Sequence, residues 1–381
     1  MKATTFFIPV ILFLFSGSNF AQSPAGYSSI EGFQVQSTIL NEERNINIYL
    51  PNDYASSNNR YPVLYLLDGR THFQHATGAV NFLSNQGSVP NMIIVSVHNV
   101  DRNRDFSPVY DDRIPTSGGA EKFLGFMSDE LITYLDGHYR TSGFDILMGH
   151  SFGGTFAVYS LITKPEVFDA YIAVSPYLQF ADNYLVKRAG EALTPNSAGM
   201  KYFFMTVGNE PDYFDALAEF SSTLKEKSEG TVDLSYVKME SENHATIPYN
   251  SVFNGLRFIF SDWQLPGEKF DQGLVAVDAH YAKVSSKYGF KMQAPENTIN
   301  ALGYTYLQNN EIEKAIPVFT ENVERYPSSA NVYDSLGEAY ERNSQFKKAK
   351  KNYQKAYDLG KQQNDVNVAV YRKNLERMQQ Q

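Results

Sequence analysis

From residue 33 to residue 263 the apolar residues of this chain arrive in short continuous runs, and the segments between them space their apolar positions three and four apart. Continuous runs at 61–67, 92–97, 145–148, 170–174, 202–207 and 232–237 predict strands buried on both faces of a mostly parallel sheet. Residues 33–40 and 45–50 predict a further pair joined by a polar turn. Helical spacing marks 121–139, 152–162, 213–225 and 249–260. This alternation predicts an α/β fold with helices on both faces of the sheet and a site among the loops at the carboxyl ends of its strands.

The pattern changes after the turn-rich stretch Trp263-Gln264-Leu265-Pro266-Gly267. A helix-like bridge over 275–287 leads into a segment that repeats itself: Leu302, Gly303, Tyr306 and Ala315 recur 34 positions later as Leu336, Gly337, Tyr340 and Ala349. Ile299 recurs as Tyr333 and Phe319 as Tyr353. The period and pattern resemble tetratricopeptide repeats, although Lys361 stands where the first copy has Pro327, and Asn322 occupies a usually small position. Two repeats bury too little to stand alone, so the stripe Val368, Tyr371, Leu375, Met378 is expected to cap them and the α/β domain to support them. Their role is left open between a stabilising or dimerising appendage and a surface for a protein or peptide partner. The expected division is a signal peptide at 1–21, an α/β domain at 22–265, a linker with a bridging helix at 266–295, and helical repeats at 296–381.

A net charge of −9 over 381 residues, with no run of lysine or arginine on which phosphates would sit, argues against a nucleic-acid partner. Met1-Lys2, a short apolar run from Phe6 to Phe15 and small residues up to Ala21 read as a secretory signal, with export to the periplasm or beyond. That run, broken by Pro9, is too short for a membrane span. With no cysteine, the chain offers neither a disulfide framework nor a thiol nucleophile.

The chemistry is announced by Gly149-His150-Ser151-Phe152-Gly153-Gly154, which follows the apolar run 145–148 and precedes helix-like residues. Strand, sharp turn and helix form the context of a nucleophile elbow. A serine needs a base, an acid that orients the base, and donors for the oxyanion. Beyond the run 202–207, Gly208-Asn209-Glu210-Pro211-Asp212 supplies two candidate acids, Glu210 and Asp212, with Asp215 a weaker third. Of the two histidines that follow, His244 lies in the polar loop after 232–237 and is the candidate base, whereas His280 falls in the bridge. One oxyanion donor is expected from the Phe152 amide and the other from the loop 68–73, favouring the Arg70 amide. His72 and His150 are read as pocket lining. Arg102 and Arg104 are candidate contacts for an anionic substrate group, against the blander expectation that they pair with Asp105, Asp111 or Asp112.

Taken together, Leu64-Tyr65-Leu66-Leu67-Asp68-Gly69, Arg102-Asn103-Arg104-Asp105-Phe106-Ser107-Pro108, Ser117-Gly118-Gly119, the elbow and Glu242-Asn243-His244 resemble the esterase D family of α/β-hydrolases over residues 30–263. Within that family the chain is most similar to the branch that holds siderophore trilactone esterases. The resemblance implies an α/β-hydrolase fold and cleavage of a small-molecule ester or thioester, without metal or cofactor, through an acyl-serine at Ser151 with His244 as base and Glu210 as acid. Three other readings stay open: a siderophore trilactone esterase, an acyltransferase with the same residues, and a non-catalytic binding protein that works through its repeats. The stretch 101–119 is expected to form a rim or lid over the pocket.

Overall fold

The computed structural model describes residues 29–379 apart from 56, 193–198 and 229, so the signal peptide expected at 1–21 lies outside the described residues. Eight strands, β1 (Ser29–Ser37), β2 (Glu42–Leu50), β3 (Tyr61–Leu66), β4 (Ile93–Val97), β5 (Thr141–His150), β6 (Ala170–Val174), β7 (Lys201–Val207) and β8 (Val232–Lys238), form one sheet. Their order is β1-β2-β4-β3-β5-β6-β7-β8, with β1–β2 and β2–β4 antiparallel and every other pair parallel. This is the α/β-hydrolase architecture. Ten helices belong with it or follow directly: α1 (Gly69–Asn85), α2 (Arg102–Phe106), α3 (Ala120–Gly125), α4 (Thr133–His138), α5 (Phe152–Thr163), α6 (Phe180–Ala192), α7 (Pro211–Lys227), α8 (Ile247–Ile259), α9 (Gly267–Asp271) and α10 (Leu274–Tyr288).

Alternate residues of the central strands feed two cores. Val63, Tyr65, Leu147, Tyr171 and Ala173 point to the face covered by α3, α5 and α7, while Leu64, Leu66, Ile146, Met148 and Ile172 point to the face covered by α1 and α8. Both faces being dry explains why these strands read as unbroken apolar runs. The sequence reading corrects at two places. Residues 68–73 are not a loop: α1 begins at Gly69, after a left-handed Asp68 that stands at the cap position and makes no side-chain cap hydrogen bond. The stretch 101–119 is not a free lid either, because α2 lies inside it and Asp105, Phe106 and Ser107 are buried.

Five further helices, α11 (Glu296–Gln308), α12 (Ile312–Arg325), α13 (Ala330–Arg342), α14 (Phe346–Gln363) and α15 (Val368–Gln379), make the repeat region. The period is physical. A Cβ on Gly303 would sit 2.6 Å from the Phe319 ring, and a Cβ on Gly337 would sit 2.8 Å from the Tyr353 ring. The same glycine-on-aromatic contact thus recurs in both copies and lets paired helices approach. Asn322 is buried and donates to the Glu296 carbonyl at 3.1 Å, tying α12 to α11. Tyr371, Leu375 and Met378 of α15 are buried against the second copy.

The bridge helix α10 joins both cores. Its Val277 and Tyr281 pack with Ile299, Leu302 and Val318 of the repeats, while Val284 and Tyr288 pack in the core under the sheet. Tyr288 lies 5.4 Å from Phe144 and 5.1 Å from Phe260, ring to ring, and its hydroxyl donates to the Ile259 carbonyl at 2.8 Å. Removing this side chain opens a cavity and strands that carbonyl. Tyr288→Ala is expected to destabilise the α/β domain by about 3 kcal/mol in urea denaturation; a loss confined to the repeats, with the α/β transition unmoved, would exclude α10 as part of that core.

Candidate active site

Ser151 follows the last residue of β5 and precedes α5, with backbone angles of φ 59° and ψ −119°. A non-glycine residue held there stores strain, about 1–3 kcal/mol, and its neighbours are shaped to hold it. A Cβ on Gly149 would overlap the Gly153 carbonyl, and one on Gly154 would come within 3.1 Å of Pro176. The Ser151 N–H donates to the Val174 carbonyl at 2.8 Å, which ties the turn to β6.

The ends of β7 and β8 bring the candidate acid and base together. Beyond β7, Glu210 is only 9% exposed at its side chain. Its Oε2 accepts from Ser175 Oγ at 2.6 Å and from the Gly208 N–H at 3.1 Å. Its Oε1 accepts from His244 Nδ1. Because that nitrogen donates, the neutral ring keeps its lone pair on Nε2, free to take a proton. The two loops are stitched together: Asn209 N–H donates to the Glu242 carbonyl at 2.7 Å, and a Cβ on Gly208 would come within 2.8 Å of the same oxygen. Asp212, the other candidate acid, lies exposed in the first turn of α7, and Asp215 is exposed further along it. Of the candidate acids, Glu210 is the one bonded to His244.

Arg70 and Phe152 occupy the first turns of α1 and α5, where helix N–H groups have no intrahelical acceptor. The Arg70 side chain is itself held, its Nε donating to His98 Nδ1 at 3.3 Å. His72 and His150 stand between these groups and His244. The His150 ring lies 4.5 Å from that of His244 and 5.6 Å from that of His72, which in turn lies 5.1 Å from His75. Burial lowers His150 to about 3 and His72 to about 4, with neighbouring histidines adding to the effect, so both rings stay neutral beside the base.

Arg102 departs from the sequence reading. It pairs with none of Asp105, Asp111 and Asp112 but grips Asp68, Nε to Oδ1 at 2.6 Å and Nη2 to Oδ2 at 2.9 Å, and it donates to the His150 carbonyl at 3.0 Å. It is thus engaged within the protein rather than presented to an anionic substrate. Asp105 is taken by Arg44 and Arg104, and Asp111 by Arg113. Sequence reasoning also missed a wall of rings that leads to His244: Phe180, Phe152, Tyr177 and Tyr213, with successive centroids 5.3–5.9 Å apart, and Tyr213 5.8 Å from His244. No spacing joins these four residues along the chain, so only their shared end of the sheet reveals them. A separate open cleft of about 910 Å³ between β8 and α8 includes Glu242 but not Ser151. Among the described residues no group of three or more His, Asp or Glu side chains is arranged to hold a metal ion, and no helix is long and apolar enough to cross a membrane.

The family model for putative esterases matches residues 37–235. The chain belongs to this esterase family. A tetratricopeptide-repeat model matches residues 330–361, the second copy. Among relatives, the ferri-bacillibactin esterase of Bacillus subtilis is 26% identical over 226 residues, 52% of this chain and 78% of that protein. An IroE-like serine hydrolase from Shewanella oneidensis is 26% identical in its crystal structure, with a TM-score of 0.68 over 78% of this chain and 99% of its own. An uncharacterised protein from Capnocytophaga ochracea, 18% identical, shares the fold over 93% of this chain and all of its own, with a TM-score of 0.62. The esterase is accordingly an ester hydrolase with the α/β-hydrolase fold and a helical repeat region.

The buried histidines carry a consequence for stability. His72 and His150 have folded values of about 4 and about 3 against an ordinary 6.5, so between these limits the unfolded chain binds protons that the folded one does not. Their contribution is complete above about pH 6.5 and falls as pH drops towards about 4. The urea midpoint at about pH 5 is expected to lie below that at about pH 7.5, and His72→Gln should narrow the difference; an unchanged difference would exclude His72 as a source.

Proposed function

We propose that this esterase cleaves carboxylic esters through an acyl-serine intermediate at Ser151. The observation that carries the reading is the convergence, at one end of the sheet, of a strained serine, a histidine bonded to a buried carboxylate, and two helix-start amides. His244 Nε2 takes the Ser151 proton as Oγ attacks the ester carbonyl. Glu210 holds the Nδ1 side of the ring and stabilises the imidazolium that forms. The N–H groups of Phe152 and Arg70 receive the oxyanion. His244 then gives its proton to the leaving alcohol, and water repeats the sequence on the acyl-enzyme.

Two observations favour a narrower substrate. The relative from Bacillus subtilis is named for a ferric siderophore ester, and the rings of Phe152, Tyr177, Phe180 and Tyr213 beside His244 suit an aromatic acyl group. A siderophore trilactone bearing aromatic acyl groups is the second reading. The signal-like residues 1–21 support export to the periplasm or beyond, and the repeats offer a surface for a protein or peptide partner.

Initial rates on neutral aryl esters and on a catecholate trilactone test the assignment. Ser151→Ala and His244→Ala are expected to lose about a thousandfold or more in kcat/KM, Glu210→Ala about a hundredfold or more, and Asp212→Ala little. Wild-type rates in Ser151→Ala would sink the assignment; a trilactone rate no greater than that on simple aryl esters would sink the narrower reading alone.

A further inference from the structure

The two amides assigned to the oxyanion stand at the ends of neighbouring strands, and the hydrogen-bond ladder that aligns those strands stops short of them. Leu67 N–H donates to the Met148 carbonyl at 3.0 Å. A parallel ladder repeats every two residues, so its next rung would run from the Gly69 N–H to the His150 carbonyl. The chain has left the sheet by then, because Asp68 is left-handed at φ 52° and Gly69 opens α1. The Arg102 guanidinium fills the gap: Nη2 reaches the His150 carbonyl at 3.0 Å, and the Nε–Nη2 edge holds Asp68. One side chain therefore joins the residue before Ser151 to the residue two before Arg70.

The same contact settles a charge. The Asp68 carboxylate is 9% exposed, and its Oδ2 would lie 3.3 Å from a Cβ on Gly153, in the first turn of α5. A helix start favours a nearby anion, but the anion wanted here is the one that develops on the substrate. An uncompensated carboxylate in this dry corner would oppose it. Arg102 arrives already ordered. It opens α2, whose Asp101 carboxylate accepts from the Arg104 N–H at 3.0 Å and whose Asp105 is clamped by the buried Arg44 at 2.6 Å.

We infer that Arg102 is a positioning residue for ester hydrolysis: it supplies the missing rung between the two oxyanion donors and cancels the Asp68 charge beside them. This rests on the proposed roles of Ser151, Phe152 and Arg70. It differs from an anion-binding Arg102, which would act through KM on charged substrates.

The test is steady-state kinetics of the full chain on a neutral aryl ester and its carboxylate-bearing analogue, with active sites counted by fluorophosphonate labelling. Arg102→Met is expected to lower kcat on the neutral ester about a hundredfold with KM changed by less than about threefold. Asp68→Asn placed in that background is expected to recover about tenfold, because the stranded charge is gone. A loss seen only in KM for the anionic ester, or no recovery in the double variant, or a wild-type kcat in Arg102→Met, would overturn the inference. Should Arg102→Met fail to fold, Arg102→Gln, which also leaves the Asp68 charge unpaired, is read the same way: a lower kcat at constant KM upholds the role, and a wild-type kcat or a KM-only effect removes it. Ser151→Ala in the same assay separates the two levels. If it stays active, the site assignment itself is wrong; if it is inert while Arg102→Met matches wild type, only the role of Arg102 falls.

Discussion

The site depends on a backbone conformation that Ser151 would not adopt in isolation. At φ 59° the residue turns its side chain out of the sheet, and the cost, about 1–3 kcal/mol, is met by contacts only glycine permits. Gly149 lies against the Gly153 carbonyl, Gly154 against Pro176, and the Ser151 N–H is fastened to β6. From this point the rest of the geometry is fixed by parallel strands. β6 leads to Ser175, β7 to Glu210 and β8 to His244, so three successive strands deliver three polar side chains to the same edge. Gly208 then lets the loops after β7 and β8 touch, which turns proximity into the Glu210–His244 bond.

A second constraint lies under α2. Arg44 is fully buried and bonds to Glu42 and Asp105, while Arg104 reaches the same two carboxylates. Such buried networks are weak evidence for net stability, since desolvating each charge costs several kcal/mol. Their geometry is specific, however, because every member has a defined partner. Here they fix the five residues of α2, and thereby the direction in which Arg102 points. Gly119 shares in this, as a Cβ there would meet Arg104 at 2.7 Å.

The repeat region follows a different logic. Glycine and aromatic side chains interlock at a spacing of 34 residues, yet two copies make a short stack with a large exposed end on each side. α15 closes one end. α10 closes the other and continues into the α/β core through Val284 and Tyr288. The bridge is therefore a shared structural element, and the repeats are supported by the enzyme they follow.

Much of this was legible in the sequence where the signal is local. Buried parallel strands require continuous apolar runs, the elbow requires its glycines at set spacing around Ser151, and the repeats announce themselves by periodicity, so the fold class, the strand–turn–helix at Ser151 and the helical repeats could be read in advance. The loop by itself did not reveal that Glu210 rather than Asp212 meets Ser175, Gly208 and His244, because the two lie two positions apart and only the ordered strands decide which side chain faces those groups. Asp68 stands at the start of α1, but its carboxylate is held by Arg102 and Asn99 rather than by the helix N–H groups, a partnership no local pattern shows. The partner of Arg102 and the rings of Phe152, Tyr177, Phe180 and Tyr213 were likewise beyond reach. Sequence determines local pattern through backbone period and steric allowance; which distant polar groups meet is decided only when the strands are ordered in the sheet and their ends are brought to one edge.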